Sequence, residues 1–414
     1  MAPPCAFYLN QLPTDNITYY TKTISECLAH NADQFIVSTY QADPEWLFDQ
    51  LPVLLTRPCH FFVGDNNLLS LNKLKLPNLI VSKPRLPLPF GTYHSKFFIS
   101  ICANRIVIAI TTSNLAKRDW ESRNQGIYYQ EFPLRSADGV VKDSRFKDPL
   151  IDYLTFCGYQ TPEILDKYDY SQAKVFIVPS LPGTWRGEVS NQYGQKRIRS
   201  IIDSAKSTTN QATFVFSSFG KLSSPFLRSI TSSLRVNQVG FVWPTVDDVR
   251  TSVLGYESGF SLCCNHRNLT TDVRSNLRRW EPVKVRSCFE DQQLLNKDLM
   301  ERANVMPHCK FFARGTPDSL STVFLGSHNM STAAFGTISA SGSLTVRSYE
   351  LGVLWQRGLG IEELSCFETD DGPKGCFLPL PFKFPARRYG ANDTPWSWDI
   401  SHMEPDIYGR SFTV

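Results

Sequence analysis

The chain alternates short apolar segments with polar stretches that contain turn-forming residues. The segments Phe35–Tyr40, His60–Val63 and Asn78–Val81 are rich in β-branched and aromatic residues, which predicts three strands. Between the first two, the run Asp43–Glu45 supplies an N-cap, a proline for the first turn and an acidic side chain. It predicts a helix that ends near Gln50. Strands that alternate with helices predict an α/β layered fold.

The second half of the chain repeats this alternation. The predicted strands are Val175–Val178, Ala212–Phe216, Gly240–Trp243 and Val323–Leu325, and the predicted helices are Gln195–Ala205 and Val246–Val253. Because the region near residues 160–175 is polar and poorly periodic, we predict two domains, residues 1–165 and residues 166–414. The C-terminal tail is rich in proline and aromatic residues, and we expect it to be ordered, irregular and laid over the body.

Composition narrows the class of protein without naming a function. The chain has 414 residues, of which 42% are apolar and 20% charged, and this suits a globular protein of two domains. We find no apolar stretch long enough for a membrane span and no secretory leader, so we expect a soluble intracellular protein. The eleven cysteines contain no CxxC pair, so we expect reduced thiols and no zinc site. A net charge of +4 neither requires nor excludes a nucleic acid partner.

A repeat within the chain carries the candidate chemistry. His94 and Lys96 form a His-x-Lys motif, and an asparagine, Asn114, follows the histidine by 20 residues. A second His-x-Lys motif, at His308 and Lys310, is followed by Asn329 at 21 residues from its histidine. Each half of the chain therefore carries one His-Lys-Asn set at nearly the same spacing.

The spacing predicts where these side chains lie. Residues two apart in a strand point to the same face, so each histidine should emerge beside its lysine. Lys96–Cys102 and Ile106–Thr112 predict a hairpin, and a turn about Asn104 would place Asn114 directly opposite His94. The same reasoning centres the second turn on Asp318 and Ser319 and places Asn329 opposite His308.

Two such sets facing each other would surround one point with two imidazoles, two ammonium groups and two amides. A phosphodiester suits this arrangement, because lysine and asparagine hold its non-bridging oxygens while the histidines work from opposite sides. Each part also has an ordinary explanation: a single His-x-Lys arises often by chance, a lysine is commonly solvated, and Asn114 or Asn329 could be a helix N-cap. The repetition favours the functional interpretation. The remaining histidines are interpreted as surface or packing residues: His30, His60, His266, His328 and His402.

The doubled motif resembles the phospholipase D superfamily, and its surroundings resemble the tyrosyl-DNA phosphodiesterase branch of that superfamily. The resembling stretches are Phe90–Lys96, Thr112–Leu115, Asp119–Trp120, Gln125–Ile127, Met306–Lys310, Ser348–Leu354 and, more weakly, Pro182–Gly183, Ser217–Ser218, Asp248–Ser252 and Pro395–Trp398. The wider superfamily has an aspartate five residues after the lysine, where this chain has Ile101 and Gly315. The tyrosyl-DNA phosphodiesterase branch also lacks that aspartate, so the departure favours the narrower assignment.

The resemblance implies a fold and a mechanism. The fold would be two similar α/β/α layered domains related by a pseudo-twofold duplication, with the active site between them. His94 would be the nucleophile that forms a phosphohistidine, and His308 the general acid and then the general base. The family pattern assigns Glu350 to orient His94 and Gln125 to orient His308. Neither a metal nor another cofactor is expected, because two lysines supply the positive charge.

The resemblance also implies binding residues and partners. Phe90 would stack on a DNA base, Ser217 and Ser218 would contact DNA phosphates, and Trp396 would face the peptide. The ordinary alternatives are a core phenylalanine for Phe90 and a packed tryptophan for Trp396. The expected partners are DNA with a 3′-end adduct and a topoisomerase I-derived peptide, with no membrane. We expect a monomer in the nucleus, with mitochondria as a second location.

Two other functions compete with this DNA repair activity. One is a phospholipase D-like hydrolase of lipids or ordinary phosphodiesters, which the missing aspartate and the Phe90 and C-terminal matches disfavour. The other is a catalytically silent DNA-binding module, which is hard to reconcile with both complete His-Lys-Asn sets. Hydrolysis of a lipid would indicate the first alternative. The absence of any phosphodiesterase activity would indicate the second.

Overall fold

The computed structural model describes residues 5–13, 20–64, 71, 73, 75–136, 145–205, 209–281, 302, 304–317, 319–366 and 375–414. Its strands are β1 Phe7–Asn10, β2 Thr21–Lys22, β3 Gln34–Thr39, β4 Cys59–Val63, β5 Leu79–Ser82, β6 Phe97–Ile101, β7 Arg105–Thr111, β8 Arg123–Asn124, β9 Gly126–Pro133, β10 Val175–Ser180, β11 Gly183–Trp185, β12 Gln211–Val215, β13 Ser218–Phe219, β14 Gln238–Trp243, β15 Cys263–Cys264, β16 Leu277–Arg279, β17 Met306–Pro307, β18 Phe311–Thr316, β19 Ser319–Gly326, β20 Thr337–Ile338, β21 Leu344–Val346, β22 Glu350–Gln356, β23 Leu364–Ser365 and β24 Cys376–Phe377. Its α-helices are α1 Pro44–Gln50, α2 Lys117–Glu121, α3 Lys147–Cys157, α4 Gly194–Asp203, α5 Ser224–Leu234, α6 Val246–Arg250, α7 Thr271–Arg274 and α8 Thr332–Phe335.

Seven strands of the first large sheet have the same topology as the seven strands of the second, and β2 is an additional edge strand of the first. The first has the strand order β2-β1-β9-β7-β6-β3-β4-β5, and the second has the order β10-β22-β19-β18-β12-β14-β16. In each sheet an antiparallel hairpin (β6–β7 or β18–β19) lies beside a strand that begins a parallel pair (β3–β4 or β12–β14). The equivalent order and directions show a structural duplication, as the sequence repeat predicts.

Most predicted elements lie within two residues of the observed ones. The helix predicted after Asp43 is α1, and the Asp43 carboxylate accepts a hydrogen bond from the Trp46 N–H at 3.4 Å. The helix predicted to run to Val253 ends at Arg250, so its predicted C-terminus is wrong by three residues. A short 3₁₀ helix at Gly255–Ser261 follows it.

The predicted hairpin register is wrong by one residue in both halves. The first hairpin closes with a two-residue loop, and the Thr111 N–H therefore donates to the Lys96 carbonyl at 3.0 Å. In the second hairpin, the Gly326 N–H donates to the Lys310 carbonyl at 3.1 Å. A β-bulge between Arg314 and Gly315 supplies the extra residue of the second repeat. The predicted turn residue Asp318 lies outside the described residues.

The inner faces of the two sheets share one apolar core. Trp355 of β22 packs edge-to-face on Phe7 of β1 and Tyr128 of β9, and its Nε1 donates to the Cys5 carbonyl at 3.0 Å. Tyr153 of α3 lies between the halves and contacts the rings of Phe97 and Tyr349. The opposite face of the first sheet packs on α1 and the neighbouring 3₁₀ helix in a second cluster. The boundary at residue 165 stays a prediction.

Three global expectations can be compared with this architecture. No helix in the described ranges is both long and apolar enough to cross a membrane. Cys5 and Cys376 form a disulfide with Cα atoms 5.2 Å apart, so the expectation of reduced thiols is wrong for this pair. The tail from residue 375 onward is irregular but packed: bridges join Pro395 to Thr245 and Phe412 to His402. Its ordered, irregular character agrees with the expectation.

Candidate active site

The two His-Lys-Asn sets lie at the same end of the two sheets. His94 and Lys96 immediately precede β6, and Asn114 follows the end of β7. His308 and Lys310 precede β18, and Asn329 follows the end of β19. In both halves the asparagine comes three residues after the backbone partner of the lysine. The duplication therefore produces the equivalence of the sets, although neither asparagine has the predicted position opposite its histidine.

His94 belongs to the first half but is held by the second. Its Nδ1 lies 2.9 Å from the Ser327 carbonyl oxygen and 3.0 Å from Glu350 Oε2. Its backbone N–H donates to the Tyr349 carbonyl at 3.0 Å. Both partners of Nδ1 are acceptors, so Nδ1 carries the proton in the neutral ring. Nε2 therefore carries the free lone pair that a nucleophile needs.

His308 belongs to the second half but is held by the first. Its backbone N–H donates to the Asn124 carbonyl at 2.9 Å, beside the short β8–β17 pairing. Its Nδ1 lies 3.1 Å from Gln125 Nε2, 3.3 Å from Gln125 Oε1 and 3.5 Å from Asp119 Oδ2. A donor and two acceptors thus face this nitrogen. His308 can have a hydrogen-bond partner at Nδ1 both with and without a proton there.

Gln125 is itself fixed by the strand ends around it. Its Oε1 accepts a hydrogen bond from the Thr112 hydroxyl at 2.7 Å, and its Nε2 donates to the Asp119 carbonyl at 3.0 Å. These bonds identify the amide oxygen and nitrogen without ambiguity. The segment 119–125 therefore acts as a rigid support for His308.

The two lysines are fully buried in the site. The Lys96 ammonium donates to the His94 carbonyl, and Lys310 Nζ donates to the His308 carbonyl at 2.6 Å while lying 3.1 Å from His308 Nε2. Burial lowers the pKa of Lys310 to about 7. Burial and the charge of Lys310 also hold the pKa of Lys96 well below its usual value. An anion bound here would offset both effects and restore the charged ammonium forms.

The two asparagines are anchored by opposite ends of their amides. Asn114 Nδ2 donates to Asp119 Oδ2 at 2.8 Å, whereas Asn329 Oδ1 accepts from the Ser217 N–H at 3.2 Å. The N-caps of the following helices are Ala116 and Ser331, so the alternative interpretation of the asparagines as N-caps is wrong. Both amides are held at the site instead.

Comparison with known proteins identifies the family. A family model described as tyrosyl-DNA phosphodiesterase matches residues 7–390. The chain belongs to the tyrosyl-DNA phosphodiesterase family. It is 28% identical over 457 aligned positions to tyrosyl-DNA phosphodiesterase 1 of Arabidopsis thaliana, covering 94% of this chain and 73% of that protein. It is 31% identical over 358 positions to a probable tyrosyl-DNA phosphodiesterase of Caenorhabditis elegans, covering 79% of this chain and 72% of that protein.

The structure of the yeast tyrosyl-DNA phosphodiesterase has the same fold. The two superpose with a TM-score of 0.71 at 16% sequence identity, over 95% of this chain and 99% of the yeast chain. The predicted duplicated α/β architecture is therefore confirmed. The family match and the curated relatives show that the chain is an enzyme, a phosphodiesterase of DNA repair.

Burial and charge oppose protonation of both histidines of the site. Burial lowers the pKa of His94, and the Lys96 charge adds to that effect, while Glu350 partly opposes it. Burial and the charge of Lys310 hold the pKa of His308 well below its usual range. Burial favours the neutral form of Glu350, but attraction to the protonated form of His94, the hydrogen bond with His94 and the charge of Lys96 outweigh it and lower the pKa of that carboxyl. Glu350 is therefore ionised beside a neutral His94 near pH 7.

The predicted DNA and peptide contacts differ in how the structure presents them. Phe90 is 91% exposed and has φ = 61°, so the alternative of a core phenylalanine is wrong. Ser217 is buried against Asn329, and Ser218 begins the partly exposed strand β13. Trp396 is fully buried against Tyr256 and Phe412, so the prediction that it faces a peptide is wrong. Base stacking by Phe90 and phosphate contacts by the serines stay predictions.

Sequence reasoning missed two buried polar residues around the site, Asp119 and Asn10. Asp119 contacts both Asn114 and His308, although it was recognised only as part of a matching stretch. Asn10 donates to the Trp120 and Arg123 carbonyls, both at 2.8 Å, and accepts from the Gln125 N–H. His328 is buried beside Ser180, and burial lowers its pKa to about 4, in agreement with its interpretation as a packing residue. The position of Asp119 shortly after Asn114 in the sequence was the signal that could have identified Asp119 as a site residue.

The donor set at the site is made of imidazoles, ammonium groups and amides. Among the residues that the structure describes, no group of three or more His, Cys, Asp or Glu side chains could hold a metal ion. The charge that a phosphodiester needs is instead present on Lys96 and Lys310 once an anion is bound.

Proposed function

We propose that this enzyme hydrolyses the bond between a DNA 3′-phosphate and a tyrosine through a covalent phosphohistidine. His94 Nε2 attacks the phosphorus, the bond from phosphorus to the tyrosyl oxygen breaks, and His308 gives its proton to that oxygen. His308 then removes a proton from a water molecule, which attacks the phosphorus and displaces His94. The products are a tyrosine-containing peptide and a DNA 3′-phosphate. Lys96, Lys310 and Asn329 would hold the non-bridging oxygens throughout.

One observation carries the assignment of roles. The partners of His94 Nδ1 are both acceptors, which fixes one tautomer, whereas His308 Nδ1 faces both a donor and acceptors. A nucleophile needs a permanent lone pair at Nε2, and an acid–base group must change its protonation state during turnover. The asymmetry of the two histidine environments supports His94 as nucleophile and His308 as acid and base.

The proposed partners follow from the same chemistry. The substrate would be DNA carrying a 3′-end adduct, and the leaving group a topoisomerase I-derived peptide. The exposed ring of Phe90 supports a contact with an unpaired base, because stacking accepts any base sequence. We propose that the enzyme works in the nucleus, where such adducts arise, with mitochondria as a second location, and that it acts as a monomer.

The test is an oligonucleotide that ends in 3′-phosphotyrosine, incubated with the enzyme in EDTA and analysed on a denaturing gel. We expect conversion to a 3′-phosphate product in EDTA and no release of choline from phosphatidylcholine. If the lipid is hydrolysed and the oligonucleotide is not, the phospholipase alternative replaces the proposal. If hydrolysis requires added magnesium, the metal-free mechanism is wrong.

A further inference from the structure

Asp119 is a buried carboxylate that contacts both halves of the site. It is the third residue of α2, and only 3% of its surface is exposed. Its Oδ2 accepts from the Asn114 N–H at 3.0 Å and from Asn114 Nδ2 at 2.8 Å, and it lies 3.5 Å from His308 Nδ1. Its other carboxylate oxygen is paired with Arg123. One carboxylate thus joins an amide of the first half to the proposed acid of the second.

The charges around His308 make this carboxylate important. In the part of the chain that the structure describes, Asp119 is the carboxylate within 4.0 Å of a ring nitrogen of His308. After burial, the largest effects on this imidazole come from Lys310, Arg123, Lys96 and His94, and each of them disfavours its protonation. A general acid in such surroundings needs a negative charge close to Nδ1 to keep its proton.

We propose that Asp119 is a positioning residue that stabilises the imidazolium form of His308 and fixes the amide of Asn114. The inference deepens the proposed function and rests on the role of His308 as general acid. When His308 carries two protons, its Nδ1–H points to Asp119 Oδ2 and Gln125 Oε1, and its Nε2–H faces the tyrosyl oxygen. Arg123 holds the carboxylate in place, and the Asp119 carbonyl holds Gln125, so one short segment supports the whole ring.

This role predicts a dependence on the leaving group. Tyrosine is a weakly acidic phenol with a pKa of about 10, so its departure benefits from a proton supplied by His308. A 4-nitrophenyl ester departs as a more acidic phenol and needs that proton less. Loss of the Asp119 charge should therefore slow the tyrosyl substrate much more than the nitrophenyl substrate. A purely structural defect in the site would slow both to a similar extent.

The experiment compares wild type, Asp119→Asn and Asp119→Glu on oligonucleotides with a 3′-phosphotyrosyl or a 3′-(4-nitrophenyl phosphate) end. For Asp119→Asn we expect kcat to fall by on the order of 10²-fold with the tyrosyl substrate and by less than about tenfold with the nitrophenyl substrate. We also expect the alkaline limb of its kcat/KM profile to move to lower pH. Asp119→Glu keeps the negative charge, so the alkaline limb of its kcat/KM profile should lie at the same pH as in wild type. Asp49→Asn, on the exposed surface of α1, is the matched control.

Equal losses on both substrates with an unmoved alkaline limb would overturn the proposal, and so would full activity of Asp119→Asn. An alkaline limb that moves equally in Asp119→Asn and Asp119→Glu would also overturn it.

A second measurement needs no turnover: the pKa of His308 is measured by NMR in ¹³C-histidine-labelled free protein, with the resonance assigned by its absence in His308→Gln. We expect a lower His308 pKa in Asp119→Asn, and an unchanged pKa would contradict the inference. If wild type cleaves neither substrate, the proposed function fails, while the titration still decides the role of Asp119.

Discussion

At the scale of single residues, the contact between His94 Nδ1 and Glu350 decides which ring nitrogen can attack. Glu350→Gln removes the charge and can present an amide N–H to Nδ1, which favours the wrong tautomer. We expect kcat to fall by roughly 10²- to 10⁴-fold. Glu350 raises the pKa of His94, so its removal should also move the acidic limb of the pH profile to lower pH.

Steady-state kinetics from about pH 4 to 9 would check this prediction, since the reference pKa of histidine lies within that range. Glu362→Gln, at an exposed position, is the control and should behave as wild type. A Glu350→Gln variant with wild-type kcat would show that the tautomer of His94 is fixed by Ser327 alone. That result would remove Glu350 from the account of the nucleophile.

Phe90 is a second residue whose position makes a prediction. A bulky residue with φ = 61° is strained, and a ring that is 91% exposed gains nothing from the core. We therefore expect Phe90→Ala and Phe90→Gly to weaken single-stranded DNA binding by roughly 1–3 kcal/mol. Neither should lower the melting temperature, and the glycine variant should be at least as stable as the alanine variant.

Fluorescence anisotropy with a labelled oligonucleotide measures the binding part of this prediction, and calorimetry measures the stability part. Ile80→Ala, which also truncates an exposed apolar side chain, is the control and should leave DNA binding unchanged. If Phe90→Ala binds DNA as tightly as wild type, the ring does not stack on a base.

Spacing alone identified the residues whose pattern occurs twice, whereas Gln125 and Glu350 were identified only through the family resemblance. His94, Lys96 and Asn114 have counterparts in the second half, and the structure brings the two sets to one end of the sheets. Trp396 had no such repetition, and its wrong assignment arose because a tryptophan in a tail can be buried or exposed. Asp119 was not predicted because its role depends on contacts across the two halves, which spacing alone does not show.

At the scale of elements, the hairpins show the limits of register prediction. Their strands were predicted from composition, but the register depends on turn geometry, and a one-residue difference in the turn shifts every cross-strand pair. The first hairpin has a two-residue loop, and the second adds a bulge near Gly315. The sequence therefore showed which residues share the site, but the pairing of strands needed the structure.

The α2–β8 segment is an element whose position depends on one buried asparagine. Asn10 of β1 makes three hydrogen bonds to the backbone between residues 120 and 125, and it is fully buried. Asn10→Ala leaves these groups without partners, and we expect the free energy of unfolding to fall by roughly 2–3 kcal/mol. Because this segment carries Asp119 and Gln125, kcat should fall as well.

Urea unfolding followed by circular dichroism would measure the loss of stability, and the gel assay would measure kcat. Asn392→Ala, at an exposed position in the tail, is the matched control and should change neither quantity. An Asn10→Ala variant that is destabilised but fully active would contradict the proposed support of His308 by this segment.

At the scale of the whole molecule, the two halves depend on each other. Each histidine is held at Nδ1 by groups of the other half, and Trp355 of the second sheet is buried among residues of the first. We therefore expect one cooperative unfolding transition. Trp355→Ala should reduce the free energy of unfolding by about 3–5 kcal/mol without splitting the transition. Calorimetry tests this, since two separate transitions, or unequal calorimetric and van't Hoff enthalpies, would contradict a shared core.

If His94 forms the covalent intermediate and His308 resolves it, a variant that lacks His308 should accumulate that intermediate. His308→Ala is mixed with an oligonucleotide bearing a 3′-(4-nitrophenyl phosphate), which needs little help from an acid, and the protein is analysed by intact-mass spectrometry and peptide mapping. We expect a persistent adduct of one oligonucleotide, located on His94, and no adduct with His94→Ala. An adduct on another residue, or rapid turnover by His94→Ala, would contradict it.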